Sequence, residues 1–261
     1  SLEAPAEGEE AAALRTELRW EQARSALSRH QSPDLPFHMG LNPYRGCEHG
    51  CIYCYARPTH SYLGWSPGLD FETRLIAKQN LPELLRAELS RASHVAAPVM
   101  LGSVTDCYQP VERELGLTRR LIEVLAEARH PFSIVTKGSG VERDLDLLAP
   151  LARQGLASVH ITLTTLDADL ARHLEPRAAA PHRRLRSIRA LTEAGVPVGV
   201  SLAPQIPFIN EDLEKVLEPI FFHYKEKRRA DEPFGDFCAR IGFDQLRSYS
   251  AAYVPPESVS S

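Results

Sequence analysis

The stretch Gly46-Cys47-Glu48-His49-Gly50-Cys51-Ile52-Tyr53-Cys54-Tyr55 (residues 46–55) decides how this sequence is interpreted. It places three of the chain's five cysteines in a C-x3-C-x2-C spacing within a glycine-containing loop. Thiolates this close can surround one compact soft-metal centre, because each binds without the backbone having to return from elsewhere. An odd, clustered set of cysteines, in a sequence without a basic-then-apolar export signal, indicates metal or redox chemistry instead of a disulfide framework.

Two kinds of centre fit three close cysteines. A structural zinc ion takes four protein ligands, and His49, His60 or Cys107 could supply the fourth. A [4Fe-4S] cluster held by three cysteines leaves one iron open to a substrate or cofactor. Tyr53, directly before the third cysteine, would then offer a flat surface beside the open iron. The loop by itself leaves both alternatives open.

Helical patterns and short apolar runs alternate after the loop, which predicts right-handed βαβ units and hence an open doubly wound sheet or a partial barrel. Several runs are nearly continuous hydrophobes, as expected of parallel strands covered on both faces. With a short apolar stretch at 37–44, the predicted strands number five, the others being 99–105, 132–137, 158–165 and 196–204. Helices are predicted at about 15–29, 81–91, 114–128, 142–154, 183–194 and 211–227.

The composition is that of an ordinary globular chain. Of 261 residues, 43% are hydrophobic and 25% are charged, close to the averages for such proteins. The net charge of −4 excludes a strong overall field for nucleic acid but not a local basic patch. No apolar run approaches the roughly 20 residues that span a bilayer, so we expect no membrane partner and a cytoplasmic protein.

The text around the cysteines, NPYRGCEHGCIYCYARPTH (residues 42–60), resembles the radical S-adenosylmethionine (SAM) superfamily. More narrowly, it resembles the spore photoproduct lyase-like branch, whose bacterial members are described as DNA repair photolyases. This resemblance covers about residues 21–218 and favours the iron-sulfur cluster over zinc. Further stretches that carry it are LDFETRLIAK (69–78), TDCYQPVERELGLTR (105–119), IVTKG (134–138), TTLD (164–167) and LEPRAAAPHRRL (174–185).

The resemblance implies an α/β fold, a partial (β/α)6 TIM-like barrel, with a [4Fe-4S] cluster on Cys47, Cys51 and Cys54. It implies that SAM binds the fourth iron and that an electron from a flavodoxin- or ferredoxin-type donor cleaves its S–C5′ bond. The resulting 5′-deoxyadenosyl radical would abstract a substrate hydrogen, and the protein would position the cofactors and exclude water. The substrate stays open, with nucleic acid as one candidate class.

The same resemblance implies roles for polar residues at the strand ends, where a barrel places its active site. Cys107 would be a hydrogen-atom donor, although a buried small hydrophobe is the alternative. For the basic stretch 172–189, a solvated helix face is favoured over a phosphate-binding face. The cofactor-binding residues so implied are Tyr53, Tyr55, Ser103, Thr105, Lys137, Thr164 and Arg177.

Three regions are expected: a disordered lead (1–14), a radical SAM core (15–218) and a divergent C-terminal tail (219–261). The tail resembles the extreme C-terminus of ferredoxin-dependent sulfite or nitrite reductases. Its single cysteine, Cys238, cannot supply the ligands that a reductase cluster needs, so no reductase function carries over. Because no sixth strand is found there, we expect a barrel that is incomplete at its C-terminal end. A truncated or fused chain that holds a cluster without turnover is therefore a further alternative.

Overall fold

A computed structural model describes residues 15–29, 31, 37–206, 209–210, 212–230, 232 and 234–253. The disorder predicted for residues 1–14 and for the last seven residues falls outside these ranges.

Nine strands form two sheets in this part of the chain. The larger sheet has the order β2-β3-β6-β7-β8-β9, in which β3 and β6 to β9 run parallel and β2 pairs antiparallel at one edge. The smaller sheet has the order β1-β5-β4. The strands are β1 (Glu17–Glu21), β2 (Leu27–Arg29), β3 (Met39–Leu41), β4 (Tyr44–Arg45), β5 (Arg74–Lys78), β6 (Val99–Leu101), β7 (Phe132–Thr136), β8 (Ala157–Thr162) and β9 (Val198–Ser201).

Helices connect the parallel strands and continue after the last of them. Two 3-10 helices, Arg57–Leu63 and Ser139–Asp144, follow β4 and β7. The α-helices are α1 (Asp70–Thr73), α2 (Leu81–Leu89), α3 (Glu112–Leu115), α4 (Leu117–Glu127), α5 (Leu145–Ala152), α6 (Ala168–Leu174), α7 (Pro181–Glu193), α8 (Asp212–Lys227), α9 (Phe234–Ile241) and α10 (Phe243–Ala252).

The parallel strands form the centre of the hydrophobic core. Leu41, Leu101, Ile134 and Val159 from four neighbouring strands are fully buried, and apolar faces of α2, α4 and α5 pack in the same cluster. This explains the nearly continuous hydrophobic runs, because such strands are covered on both sides. The predicted α/β class with a parallel sheet is confirmed. Among the described residues the sheet does not close into a barrel.

The helix predicted over residues 15–29 is wrong, because that segment forms β1 and β2. Strand β1 pairs in parallel with β5, so its backbone groups are satisfied by a segment more than 50 residues away. The turn that follows is fixed by the Glu88 carboxylate, which accepts hydrogen bonds from the backbone N–H groups of Ala26 (2.8 Å) and Leu27 (3.2 Å). These distant partners override the local helical spacing, as tertiary contacts commonly do.

The C-terminal segment is helical where the structure describes it. After β9 it consists of α8, α9 and α10, and the described residues contain no further strand that could extend the run of parallel strands. Helix α8 runs through residue 219, so secondary structure is continuous across the predicted domain boundary. The His223 and Tyr249 rings stack with centroids 4.0 Å apart, joining α8 to α10. None of the helices in the described ranges is both long and apolar enough to cross a bilayer.

Replacing the buried Leu101 of β6 by alanine should lower the free energy of unfolding by about 2–5 kcal/mol, since it leaves a cavity in the core. The measurement is urea unfolding followed by circular dichroism. Leu185→Ala, at a side chain of α7 that is 46% exposed, is the matched control and should change stability by less than about 0.5 kcal/mol. Equal losses in the two variants would contradict the position of β6 in the core.

Candidate functional site: a thiol-lined cavity at the strand ends

The cysteine loop begins directly after β4 with a conformation that requires glycine. Gly46 has φ of +78°, and a Cβ there would lie 2.8 Å from both the Phe71 carbonyl oxygen and a Leu75 methyl group. The next residue, Cys47, donates its N–H to the same Phe71 carbonyl at 2.9 Å. The start of the loop is therefore packed tightly against the segment that leads into β5.

A buried glutamine holds the loop from below. Gln109 donates from Nε2 to the Gly46 carbonyl (3.2 Å) and accepts the N–H of Glu48 at Oε1 (2.9 Å). The Glu48 carboxylate in turn accepts the N–H of Val111 at 2.6 Å. The loop is thus fixed through its backbone to the segment after β6. The sequence analysis missed Gln109 as a positioning residue, although it lies in the stretch TDCYQP that carries the resemblance.

An Arg-Glu-Arg group fixes the other side of the loop. Arg57 donates from Nε and Nη2 to the Cys51 carbonyl (3.0 and 2.9 Å), and its guanidinium pairs with Glu72. Arg177 pairs with the same carboxylate and donates to the Glu48 carbonyl, while its own N–H bonds the His49 carbonyl at 3.2 Å. At Gly50, where φ is +68°, a side chain would overlap this guanidinium. Arg177 therefore supports the loop and does not line the cavity above it.

The three thiols face one cavity of about 370 Å³. It lies at the carboxyl edge of the parallel sheet, where residues that end or follow β6, β7, β8 and β9 meet the loop. Of the predicted site residues it is lined by Cys47, Cys51, Cys54, Tyr53, Tyr55, Ser103 and Lys137. The remaining wall is formed by His49, Gly102, Val104, Asp106, Val135, Thr136, Thr162, Ser201, Ala203 and Pro204.

Burial keeps two of the thiols protonated in the absence of a metal. It raises the pKa of Cys47 far above the ordinary value and raises the pKa of Cys51 to about 11, against an opposing effect of the Lys137 ammonium. Metal binding needs thiolates, so loading this site must release protons. Backbone N–H groups of His49 and Asp106 lower the pKa of the Cys47 thiol and would stabilise its anion.

A buried carboxylate, Asp106, joins the loop to β7. It accepts hydrogen bonds from the Thr136 hydroxyl (2.7 Å) and the Lys137 N–H (2.7 Å), and its Oδ2 lies 3.3 Å from Nδ1 of His49. Burial works to raise the pKa of Asp106, but the His49 ring and these hydrogen bonds hold it well below its ordinary value. A negative charge is therefore held in the cavity wall, beside the cysteine loop.

A second buried charge lies beneath Tyr53. This charge is the Glu175 carboxylate. It accepts hydrogen bonds from the Tyr53 hydroxyl and from the Thr164 hydroxyl, the latter at 2.6 Å. Glu175 pairs with Arg184 in turn, and both side chains are almost completely buried. Although burial works to raise the pKa of Glu175, this arginine keeps it below its ordinary value. The Thr164 hydroxyl thus forms hydrogen bonds with Tyr53 and Glu175, and Thr164 does not line the cavity.

Lys137 is the basic side chain that reaches the cavity wall from β7. Its ammonium lies 5.8 Å from the centroid of the Tyr53 ring, within the range of a cation-π contact. Within the described part of the chain this ammonium makes no hydrogen bond or ion pair. A cation that is not engaged in a direct ion pair and lies beside three thiols suits the carboxylate of an incoming ligand.

Residues after β6 fall into two groups. Ser103 lines the cavity; its hydroxyl accepts from Nδ2 of Asn42 (3.2 Å) and its carbonyl accepts from the Tyr55 hydroxyl. Thr105 and Cys107 are buried away from it. The Thr105 hydroxyl donates to the Tyr44 carbonyl at 3.1 Å, and Cys107 belongs to the main core. Asn42, which also accepts the Val104 N–H at 2.8 Å, is a positioning residue that the sequence analysis did not identify.

The donor set fits the three-thiol pattern of an iron-sulfur cluster. Three thiols line one cavity; of the three candidate fourth ligands of a zinc ion, His49 lines the same cavity, while the other two are engaged elsewhere. The His60 ring packs against Trp65 and Phe71 and bonds the Arg74 carbonyl, and Cys107 lies in the core. Among the described residues, no three His, Cys, Asp or Glu side chains meet at a single point that could hold one ion.

The basic stretch 172–189 is largely neutralised within the protein. Arg184 is buried against Glu175, the half-buried Arg177 pairs with Glu72, and Arg183 donates to Glu142 at 2.8 Å. Sequence density of arginine therefore does not make this stretch a strongly basic surface.

This cavity and its cysteine loop lie in a chain that belongs to the Radical SAM superfamily, whose family model matches residues 41–220. An uncharacterized protein of Mycobacterium tuberculosis is 41% identical over 192 residues, which cover 73% of this chain and 56% of that one. A Methanocaldococcus jannaschii relative is 29% identical over 170 residues, covering 64% and 60%. The chain thus spans about half the length of the curated relatives it matches.

The fold is similar to that of spore photoproduct lyase. A structure of that enzyme with dinucleoside spore photoproduct gives a TM-score of 0.57 at 19% identity, covering 80% of this chain and 57% of that one. A variant with bound AdoMet and the same dinucleoside gives 0.53 at 19% identity, covering 72% and 51%. The C-terminal region is similar to a fragment of the Synechococcus elongatus sulfite reductase [ferredoxin], with 49% identity over 51 residues, or 18% of this chain and 8% of that one.

Breaking the buried ion pair should destabilise the protein strongly. Arg184→Met leaves the Glu175 carboxylate buried without its counter-charge, so the free energy of unfolding should fall by about 3–5 kcal/mol. The same substitution at the exposed Arg186 of α7 is the matched control and should cost less than about 0.5 kcal/mol. Chemical unfolding at neutral pH measures both; similar losses would show that the pair is not a closed buried unit.

Proposed function

We propose that Cys47, Cys51 and Cys54 hold a [4Fe-4S] cluster and that SAM binds beside it in the cavity of about 370 Å³. The observation that carries this proposal is the shared cavity, in which three thiols, a lysine and a serine meet at the carboxyl edge of a parallel sheet. When bound, these cofactors would supply reductive cleavage of the S–C5′ bond and a 5′-deoxyadenosyl radical that removes a hydrogen atom from the substrate.

The chain's own residues would bind and orient the cofactor. Lys137 would pair with the SAM carboxylate, and Ser103 and Tyr55 would contact its methionine part from the end of β6. Tyr53, fixed by Glu175 and Thr164, would offer a flat surface beside the cluster. Thr105 and Arg177 are positioning residues in this proposal, since they hold the backbone on which the cavity is built. Cys107 takes no part here, because its thiol is enclosed in the core.

The substrate class we propose is nucleic acid. The solved lyase structures of similar fold hold a dinucleoside photoproduct, and the resemblance of the sequence points to the same branch. We also propose a flavodoxin- or ferredoxin-type one-electron donor. All five cysteines are free thiols, the state that a reducing compartment maintains, so the proposed location is the cytoplasm.

Anaerobic reconstitution with iron and sulfide tests the cluster. The chain should gain about four irons and the broad visible absorption of a [4Fe-4S] centre. A triple Cys47→Ala, Cys51→Ala, Cys54→Ala variant should bind none, whereas Cys238→Ala, at a cysteine on α9, should load like the parent. One tightly held zinc in place of iron, or a cluster that survives the triple substitution, would overturn the assignment.

Dithionite reduction of the loaded chain with SAM tests the chemistry and separates an active enzyme from a chain without turnover. We expect 5′-deoxyadenosine, measured by chromatography. Lys137→Met should raise the dissociation constant for SAM roughly 10- to 100-fold, since a charge-assisted bond of about 1.5–3 kcal/mol is lost. Its cluster content should not change, and Lys225→Met at an exposed position of α8 should behave like the parent. A fully loaded chain that forms no 5′-deoxyadenosine would contradict the proposal.

A further inference from the structure

Two further cavities lie in a row with the thiol-lined one, and both are basic. The outer cavity, of about 360 Å³, is lined by Arg24, Arg29 and Arg91 together with Ser25 and Leu27. The middle cavity, of about 310 Å³, shares Ser25 and Leu27 with the outer one. It also shares Val104 with the thiol-lined cavity. The three concave surfaces therefore follow one another towards the site.

The middle cavity contains the ammonium of Lys78 and the guanidinium of Arg45. Lys78 donates to the Asn42 carbonyl at 2.8 Å and has no carboxylate within ion-pair distance among the described residues. Burial, with the nearby Arg45, lowers the pKa of Lys78 to about 8, so its charge is poorly compensated by the protein. Arg45 pairs with Glu21 at 2.8 Å but keeps part of its guanidinium open.

The three arginines of the outer cavity are exposed and form no ion pair within the described residues. Glu88 also lines this cavity, but both of its oxygens accept backbone N–H groups, of Ala26 and Leu27. The excess of positive charge stands out in a chain whose net charge is −4. It also contrasts with the basic stretch of α6 and α7, where carboxylates neutralise Arg177, Arg183 and Arg184.

We infer that Arg24, Arg29, Arg91 and Lys78 form a basic tract that binds consecutive phosphates of a single nucleic-acid strand and leads it to the thiol-lined cavity. Arginine forks match phosphate oxygens, and the basic residues line two adjoining cavities that share Ser25 and Leu27. The direct wall between the middle cavity and the site is Asn42 with Ser103, which share a hydrogen bond of 3.2 Å. A strand bound in the tract would thus end beside the residues proposed to contact SAM. The inference rests on the proposed function for the chemistry at that end, but not for the binding itself.

The test is fluorescence anisotropy of a labelled single-stranded oligodeoxynucleotide with the reconstituted full chain. The triple variant Arg24→Ala, Arg29→Ala, Arg91→Ala should bind at least about tenfold more weakly. The slope of log affinity against log salt should fall by about 2, since each phosphate contact on a single strand contributes about 0.7. The matched control Arg153→Ala, Arg186→Ala, Arg189→Ala removes the same charge from exposed positions elsewhere and should bind like the parent.

A charge-conserving variant and a mononucleotide competitor complete the experiment. The charge-conserving variant Arg24→Lys, Arg29→Lys, Arg91→Lys should retain most of the affinity, which guards against loss through misfolding. Thymidine monophosphate should compete far less well than the oligonucleotide. Equal losses in the Ala variant and its control, or equal competition by the mononucleotide, would overturn the tract. The tract would also be overturned if the Ala variant bound the oligonucleotide like the parent but its cluster were reduced more slowly by flavodoxin. The surface would then bind an acidic protein.

The two proposals fail in distinguishable ways. A chain that loads no iron but loses oligonucleotide binding only in the tract variant would overturn the proposed function and support the tract. A loaded chain that cleaves SAM but whose tract variant and control bind alike would support the proposed function and overturn the tract. Neither substituted set includes a residue proposed to hold the cluster or SAM.

Discussion

The parallel pairing of β3, β6, β7, β8 and β9 is the constraint on which the rest of this molecule depends. In a parallel sheet every crossover returns the chain to the same side, so the carboxyl ends of all strands meet at one edge. Here that edge brings Ser103, Lys137 and Thr162, which are widely separated in sequence, to the wall of one cavity. The packed core beneath them holds the strand ends in place, because four fully buried side chains fix the strands relative to each other.

Buried charged groups hold the cysteine loop and the cavity wall in place at this edge. The cysteine loop has little secondary structure of its own and is held through its backbone by Gln109, Arg57 and Arg177. Two carboxylates carry charge here, Asp106 in the cavity wall and Glu175 behind it, and both are kept ionised by hydrogen bonds and by opposite charge. An interior charge is costly unless it is fully partnered, so these groups also fix the geometry of what they touch. Glu175 fixes the positions of Tyr53 and Thr164, and Asp106 fixes those of His49 and the end of β7.

The sequence predicted the central strands well and the margins poorly. Buried parallel strands leave a local signal, a short run of hydrophobes, so β6 to β9 were found from that pattern alone. Strands β1 and β5 leave a weaker one, because each is specified by its pairing with the other across more than 50 residues. Gln109, Asn42, Glu175 and Arg184 lie in stretches that carry the family resemblance, but for the same reason the sequence does not show which groups they contact. Their partners are brought to them by the fold, and a polar side chain without its partner in view has the pattern of a surface residue.

By itself, the sequence determined the cysteine spacing, the strand-helix alternation and the resemblance to the radical SAM superfamily. Each of these is local: three thiols within eight residues, for example, stay near one another in space whatever the rest of the chain does. Only the tertiary structure decided which side chains share the cavity. It places Ser103 and Lys137 on the wall and encloses Thr105 and Cys107, four residues that look alike as candidates in sequence. It also decided where positive charge remains unpaired: most arginines of the dense stretch 172–189 meet carboxylates, while Arg24, Arg29, Arg91 and Lys78, from separate segments of the chain, line two cavities next to the site. The reason is physical, since burial and charge compensation depend on which groups the fold brings within a few ångströms of each other.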